Sequence, residues 1–261
     1  MTNGLERGLD AMELLAEHGE AKLVDVVDHL AVSRATAFRV LATLQRRGYV
    51  DHVRAAHVYR LGPQMRALAS QSGSSSLIRL GGMALADLRN ITGETVNMVV
   101  LRRGTIAYVA ILDGAHALRM AAKVGDEVPA HSTAVGKAIL AALPDDERAA
   151  LAGPEPYHRC TKRTIGRRKD LEADLKRTRE RGFAIDDEES EIGAACVAAA
   201  VVGADGRPLG AVSVSGLAAR MPARTWPELG KMVRARCDAI AAALVDDPDA
   251  ASGPELVRPR G

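Results

Sequence analysis

Two short apolar repeats near the start of the chain, Leu23-Val26-Val27-Leu30 and Ala37-Val40-Leu41-Leu44, share the spacing i, i+3, i+4, i+7. Each predicts a helix with one buried face. Ser33, a good N-cap, follows Leu30 after only two residues, so the second helix begins almost where the first stops. Arg46-Arg47-Gly48 then closes it. Leu5, Leu9, Met12 and Ala16 fall at helical spacing and predict an earlier helix, ended at His18-Gly19. A tri-helical unit with two tightly joined helices is a helix-turn-helix. Val50 and the run Val58-Tyr59-Arg60-Leu61 read as strands around a basic loop, which adds a wing.

Charge separates the parts of this unit. Residues 1–32 carry seven carboxylates against Arg7 and Lys22, whereas residues 33–60 carry arginines 34, 39, 46, 47, 54 and 60 against Asp51 alone. With Ala37, Val40, Leu41 and Leu44 facing the core, Ser33, Arg34, Thr36, Phe38 and Arg39 fall on the outer surface at the helix start, the end that enters a major groove. Arginine can donate two hydrogen bonds to guanine, hydroxyls can meet bases or phosphates, and a helix N-terminus favours an anion. Arg54 and His57 of the wing would position the protein through backbone phosphates. The expected partner is double-stranded DNA. The rival reading makes these residues ordinary solvated charges and the unit a protein-interaction module.

Gly62-Pro63 breaks the wing, Met65 to Ser70 suits a linker helix, and Gln71 to Ser76 reads as a flexible polar joint. The expected division is residues 1–62 for the winged helix-turn-helix, 63–76 for the linker, 77–245 for a second domain and 246–261 for a disordered tail. In the second domain a helix carries Leu77, Leu80, Ala84, Leu85, Leu88 and Ile91, followed by strands at 95–101, 105–112 and 117–121. Helix returns from Ser132 to Ala142 and again through Leu171, Leu175 and Thr178 to Gly182. Strands are expected from Phe183, Cys196 and Leu209 onward, and Pro227 to Leu244 closes the domain as a helix. The class is α+β, with an antiparallel sheet.

The run Ser33-Arg34-Ala35-Thr36-Ala37-Phe38-Arg39-Val40-Leu41, with Gly48-Tyr49-Val50, resembles the recognition-helix region of IclR-family transcription regulators. His131-Ser132-Thr133-Ala134-Val135-Gly136-Lys137-Ala138, Arg181 to Glu189 with Gly193 and Cys196, and Ser213-Val214-Ser215-Gly216 resemble that family's later signatures, in order. The resemblance covers Leu5 to about Leu244. It implies a GAF-like effector-binding domain with a six-stranded antiparallel sheet, and homodimers or dimers of dimers on a palindromic operator. It also implies repression switched by a small-molecule effector, with pocket contacts at Met120, Ala134, Val135, Asp186, Cys196, Ser213 and Ser215. Backbone N–H groups and serine hydroxyls suit a small organic or aromatic acid. Without the resemblance, the same serines, Cys196 and Asp186 read as strand, core and turn residues.

Other functions find less support in the residues. Cys196 could serve as a nucleophile with His131 or His158 as base, but it sits in the apolar run Ala194 to Ala198. The cysteines at 160, 196 and 237 and the scattered histidines lack ligand spacing, so neither metal nor cofactor is expected. The N-terminus carries Glu6, Asp10 and Glu13 where a secretory signal would be basic, and no apolar run approaches ~20 residues. A cytoplasmic protein is expected.

Overall fold

The computed structural model describes residues 3–70, 74–118 and 122–247. Contacts divide the chain into two compact units, Met1–Ser72 and Gly73–Gly261.

In the first unit, α1 (Gly4–His18) begins with a capping box: Asn3 Oδ1 accepts the N–H groups of Leu5 and Glu6, and Glu6 accepts the N–H of Asn3. Its buried face is Gly8, Ala11, Leu14 and Leu15. The helix is the one expected, but of the apolar residues whose spacing signals it, Leu5 is 72 % and Leu9 45 % exposed. The helix carries two apolar stripes, and periodicity does not say which one its neighbours will cover. Next come β1 (Ala21–Lys22), α2 (Leu23–Leu30) and α3 (Arg34–Arg46), then β2 (Val50–Val53) and β3 (Val58–Leu61). The strands form an antiparallel sheet in the order β1-β3-β2. Leu14, Leu15, Val26, Ala37, Leu41, Val50 and Tyr59 make the core. α4 (Pro63–Ser70) follows, with proline at the first helical position, where its missing N–H costs nothing.

The second unit starts with α5 (Ser74–Thr92), so Ser74 to Ser76, expected in the joint, belong to a helix, and Ser76 is buried. The rest of that joint, 71–73, lies outside the described residues. Leu77, Leu85 and Leu88 face the core as expected, but Ile91 is 57 % exposed. β4 (Thr95–Arg102) and β5 (Thr105–Leu112) form a hairpin through Arg103 and Gly104. Both turn residues have positive φ, as a type I′ turn requires. Ala117 and Leu118 are bends rather than the start of a strand, and the remainder of that expected strand is outside the described residues. α6 (Ala134–Ala142) begins two residues later than expected and is capped by Thr133, whose Oγ1 accepts the Gly136 N–H. An unexpected α7 (Asp145–Ala152) precedes α8 (Arg168–Arg181), β6 (Ala184–Asp187), β7 (Ala194–Val202), β8 (Pro208–Leu217) and α9 (Trp226–Val245).

These strands pair antiparallel in the order β5-β4-β8-β7-β6. Among the described residues the sheet has five strands, not six; beside β5 there is only an isolated bridge between Ala107 and Glu127. Side chains alternate across it. One face packs on α5 and α9 through residues such as Leu88, Val96, Val197, Val214 and Val233. The other packs under α6 and α8 through Val99, Ala198, Ala211, Ile139 and Leu175. Asp247, expected in a disordered tail, pairs with Arg79; the tail from 248 onward is outside the described residues. No helix among the described residues is long and apolar enough to cross a membrane.

Candidate nucleic-acid and ligand sites

The start of α3 is ordered by its own side chains. Ser33 Oγ accepts the Thr36 N–H at 3.3 Å and lies 3.0 Å from Thr36 Oγ1. Arg39 Nη2 donates to the same Thr36 hydroxyl at 3.3 Å. Ser33, Arg34, Phe38 and Arg39 are all exposed, and Thr36 is half-buried among them. Ala37 and Leu41, one face away, are fully buried. The five residues expected on the outer face therefore lie together, in one patch with a hydroxyl-linked guanidinium. Arg54 and His57 sit in the exposed turn between β2 and β3, where His57 has a φ of 54°. Arg60 of the same basic segment is already paired with Glu20, so its charge is neutralised within the chain.

The second site lies on the α6-facing side of the large sheet. Alternation places Asn97 of β4, Tyr108 of β5, Asp186 of β6, Cys196 of β7 and Ser213 and Ser215 of β8 on this side, and pairing brings them side by side. Asp186 is opposite Cys196, Cys196 opposite Ser215, and Ser213 opposite Asn97. Asn97 Nδ2 donates to Ser213 Oγ at 3.3 Å and Ser215 Oγ at 3.1 Å. Asp186 accepts the N–H groups of Glu189 at 2.7 Å and Ser190 at 3.2 Å, and the Ser190 hydroxyl. Ala134 and Val135, expected in the pocket, form the first turn of α6 over this floor and are buried. Met120 lies outside the described residues.

Burial dominates the acid–base behaviour here. It pushes the Tyr108 hydroxyl up to about 12, helped by Cys196 and Asp186, and raises Asp186 against the hydrogen bonds that favour its charge. It also pushes the Cys196 thiol up to about 12, with Asp186 adding to the rise. A thiol held there is protonated at neutral pH, unlike an activated nucleophile. Among the described residues no three His, Cys, Asp or Glu side chains cluster as a metal site would.

Reading the sequence alone misses Asn97, Tyr108 and Lys137. Asn97 carries a signal, a lone amide in the apolar strand Thr95 to Leu101. Lys137 carries another, a charge in an apolar helix. It is fully buried and pairs with Glu189 and, at 3.2 Å, with Asp174. The pair ties α6 to α8 and to the turn after β6. Glu189, pushed up to about 7 by burial and partly restored by Lys137, is the site's near-neutral titrating group.

Residues 4–54 match the model of the IclR helix-turn-helix domain, and residues 69–242 match that of the bacterial transcriptional regulator IclR C-terminal domain. The chain is 32 % identical over 233 residues to the transcriptional repressor IclR of Escherichia coli strain K12, covering 88 % of this chain and 85 % of that protein. The Thermotoga maritima IclR structure superposes with a TM-score of 0.71 at 25 % identity, over 92 % of this chain and 97 % of that one. An IclR homolog from Microbacterium hydrocarbonoxydans, complexed with 4-hydroxybenzoate, superposes with a TM-score of 0.69 over 94 % of this chain and 100 % of that one. At 19 % identity the latter shows a shared fold alone.

Proposed function

The chain belongs to the IclR family of DNA-binding transcriptional regulators, and from that premise we propose that it is a repressor whose operator affinity is set by a small carboxylic acid. The observation that carries the reading is the patch at the start of α3, where exposed Ser33 and Arg39 are linked through half-buried Thr36, beside exposed Arg34 and Phe38. In this reading those residues enter the major groove while Arg54 and His57 meet phosphates. A homodimer places two such helices on a palindromic operator, as a pair or as a dimer of dimers, in the cytoplasm.

The effector binds between α6 and the floor formed by Asp186, Cys196, Ser213 and Ser215, with Ala134 and Val135 completing the wall. The 4-hydroxybenzoate held by the Microbacterium protein supports an acid of this size. A coupling of about 1–3 kcal/mol between the sites changes operator affinity about 5- to 150-fold.

The test is a titration of the purified protein against DNA from upstream of its own gene, at two salt concentrations, with and without a panel of small acids. Palindrome-dependent binding that one acid weakens is expected. Weak binding without sequence preference would favour the protein-interaction reading instead.

A further inference from the structure

The eleven residues from Arg159 to Lys169 carry six arginines and lysines and no carboxylate, in a chain whose formal net charge is only +2. The segment is held in place. The Tyr157 N–H donates to the Gly166 carbonyl at 3.1 Å and closes it, and the Thr161 and Thr164 hydroxyls donate to the Glu188 and Glu189 carbonyls at 2.7 and 2.6 Å, which pins it to the turn after β6. The Arg159 guanidinium lies over Gly166, so near that a Cβ there would be 2.8 Å from its Nε. Closure therefore sets Arg159 next to Gly166-Arg167, where α8 begins.

The surrounding carboxylates are engaged elsewhere. Asp187 and Glu188 take Arg163, Glu172 takes Arg148, Asp174 takes Lys137 and Arg177, and Glu155 accepts the Arg168 N–H. Among the described residues Arg159, Lys162, Arg167, Arg168 and Lys169 are exposed and form no ion pair. Helix starts favour carboxylates, yet α8 has Arg167 at its N-cap and Arg168 and Lys169 in its first turn, against Asp170 alone. Folding of the helix is opposed by this charge, so its benefit lies in an outside anion.

The band lacks what a protein partner needs. Among the described residues no large hydrophobic side chain is exposed between 155 and 181, and interfaces between proteins centre on such groups. Fixed cations without an apolar centre fit a phosphate backbone. Resting on the DNA-binding reading above, we infer that the second unit carries a phosphate contact of its own: the 159–169 segment and the start of α8 hold the backbone of double-stranded DNA without reading its sequence. The recognition helix selects the site, and this band adds affinity that every duplex shares.

The test titrates the full chain, at four salt concentrations, against a labelled duplex from upstream of its own gene and a scrambled duplex of equal length. Each phosphate contact contributes about one to the slope of log affinity against log salt. The triple variant Arg167→Gln, Arg168→Gln, Lys169→Gln should lower that slope by about two to three on both duplexes and leave the ratio of the two affinities unchanged. Lys162→Gln, in the loop, should lower it by about one, a reading that stands even where the triple variant does not fold. Unchanged slopes overturn the inference and leave an acidic protein surface as the partner to test. A loss on the upstream duplex alone overturns it as well, since that is base reading. If Arg39→Ala weakens binding while these variants do not, only this inference falls; if the wild type binds neither duplex, the DNA-binding reading falls with it.

Discussion

The Lys137 ammonium lies 3.2 Å from Asp174 Oδ2 with its side chain 1 % exposed, within ion-pair reach though not aligned for a hydrogen bond. Glu189 supplies the hydrogen-bonded partner. Two carboxylates around one buried ammonium hold α6 to α8 and to the turn that also positions Asp186. Removing the ammonium alone leaves the Glu189 carboxyl without its ion-pair partner and Asp174 with Arg177 only. Lys137→Met should therefore destabilise the second unit by about 3–5 kcal/mol in urea unfolding. The triple variant Lys137→Met, Asp174→Asn, Glu189→Gln should recover much of that loss, because neutral groups replace all three charges. A single variant as stable as the wild type would mean that the cluster does not hold α6.

Glu189 also predicts a pH dependence. Its folded value of about 7 stands above the ordinary 4.5. Below about 4.5 both states hold the proton. As pH rises towards 7 the unfolded state releases it first, so the carboxyl's contribution to stability falls and then levels off once the folded state is ionised. The raised Asp186 acts in the same direction at the acid end. The stability of the wild type relative to Glu189→Gln should thus decline between pH 4.5 and 7 and be flat above. Parallel profiles for the two proteins would contradict it.

Gly136 sits where α6 crosses Ala130. A Cβ there would lie 2.4 Å from the Ala130 carbonyl oxygen and 2.5 Å from its Cα, and neither backbone atom can swing aside. Gly136→Ala should cost about 1–3 kcal/mol or more and loosen the helix over the ligand floor. Gly82 of α5 is the contrast, with nothing within 4 Å of its Cβ position. There the same change should stabilise by up to about 1 kcal/mol, from helix propensity alone. Thermal unfolding of both variants reads the difference, and equal shifts would remove the steric account of Gly136.

What the sequence reveals follows from how local each signal is. α2 and α3 are plain because each repeat sits on one helix and contacts one core; α1 misleads because it carries two stripes, and only the packing of Leu14 and Leu15 chooses between them. β1 spans two residues, too few to alternate. The ligand floor is hidden for a different reason. β4 is buried on both faces from Thr95 to Val100, so polar and apolar positions do not alternate against solvent. Asn97 meets Ser213 only because β4 pairs with β8, across 116 positions of sequence.

The last prediction separates two arginines of the same basic segment. Arg39 is exposed, tethered to Thr36 and faces away from the core of α3; Arg60 is exposed too but paired with Glu20. Each phosphate neutralised by a cation releases counterions and contributes about one to the slope of log affinity against log salt. Arg39→Ala should lower that slope by about one and weaken binding to all sequences if its partner is phosphate. A fixed slope with relaxed preference at one base pair would assign it to a base instead. Arg60→Ala should change neither, since Glu20 already neutralises its charge. Operator titrations at four salt concentrations on the two variants measure both slopes. Equal losses would mean that the Arg60–Glu20 pair opens on DNA and that the whole basic segment acts as one field.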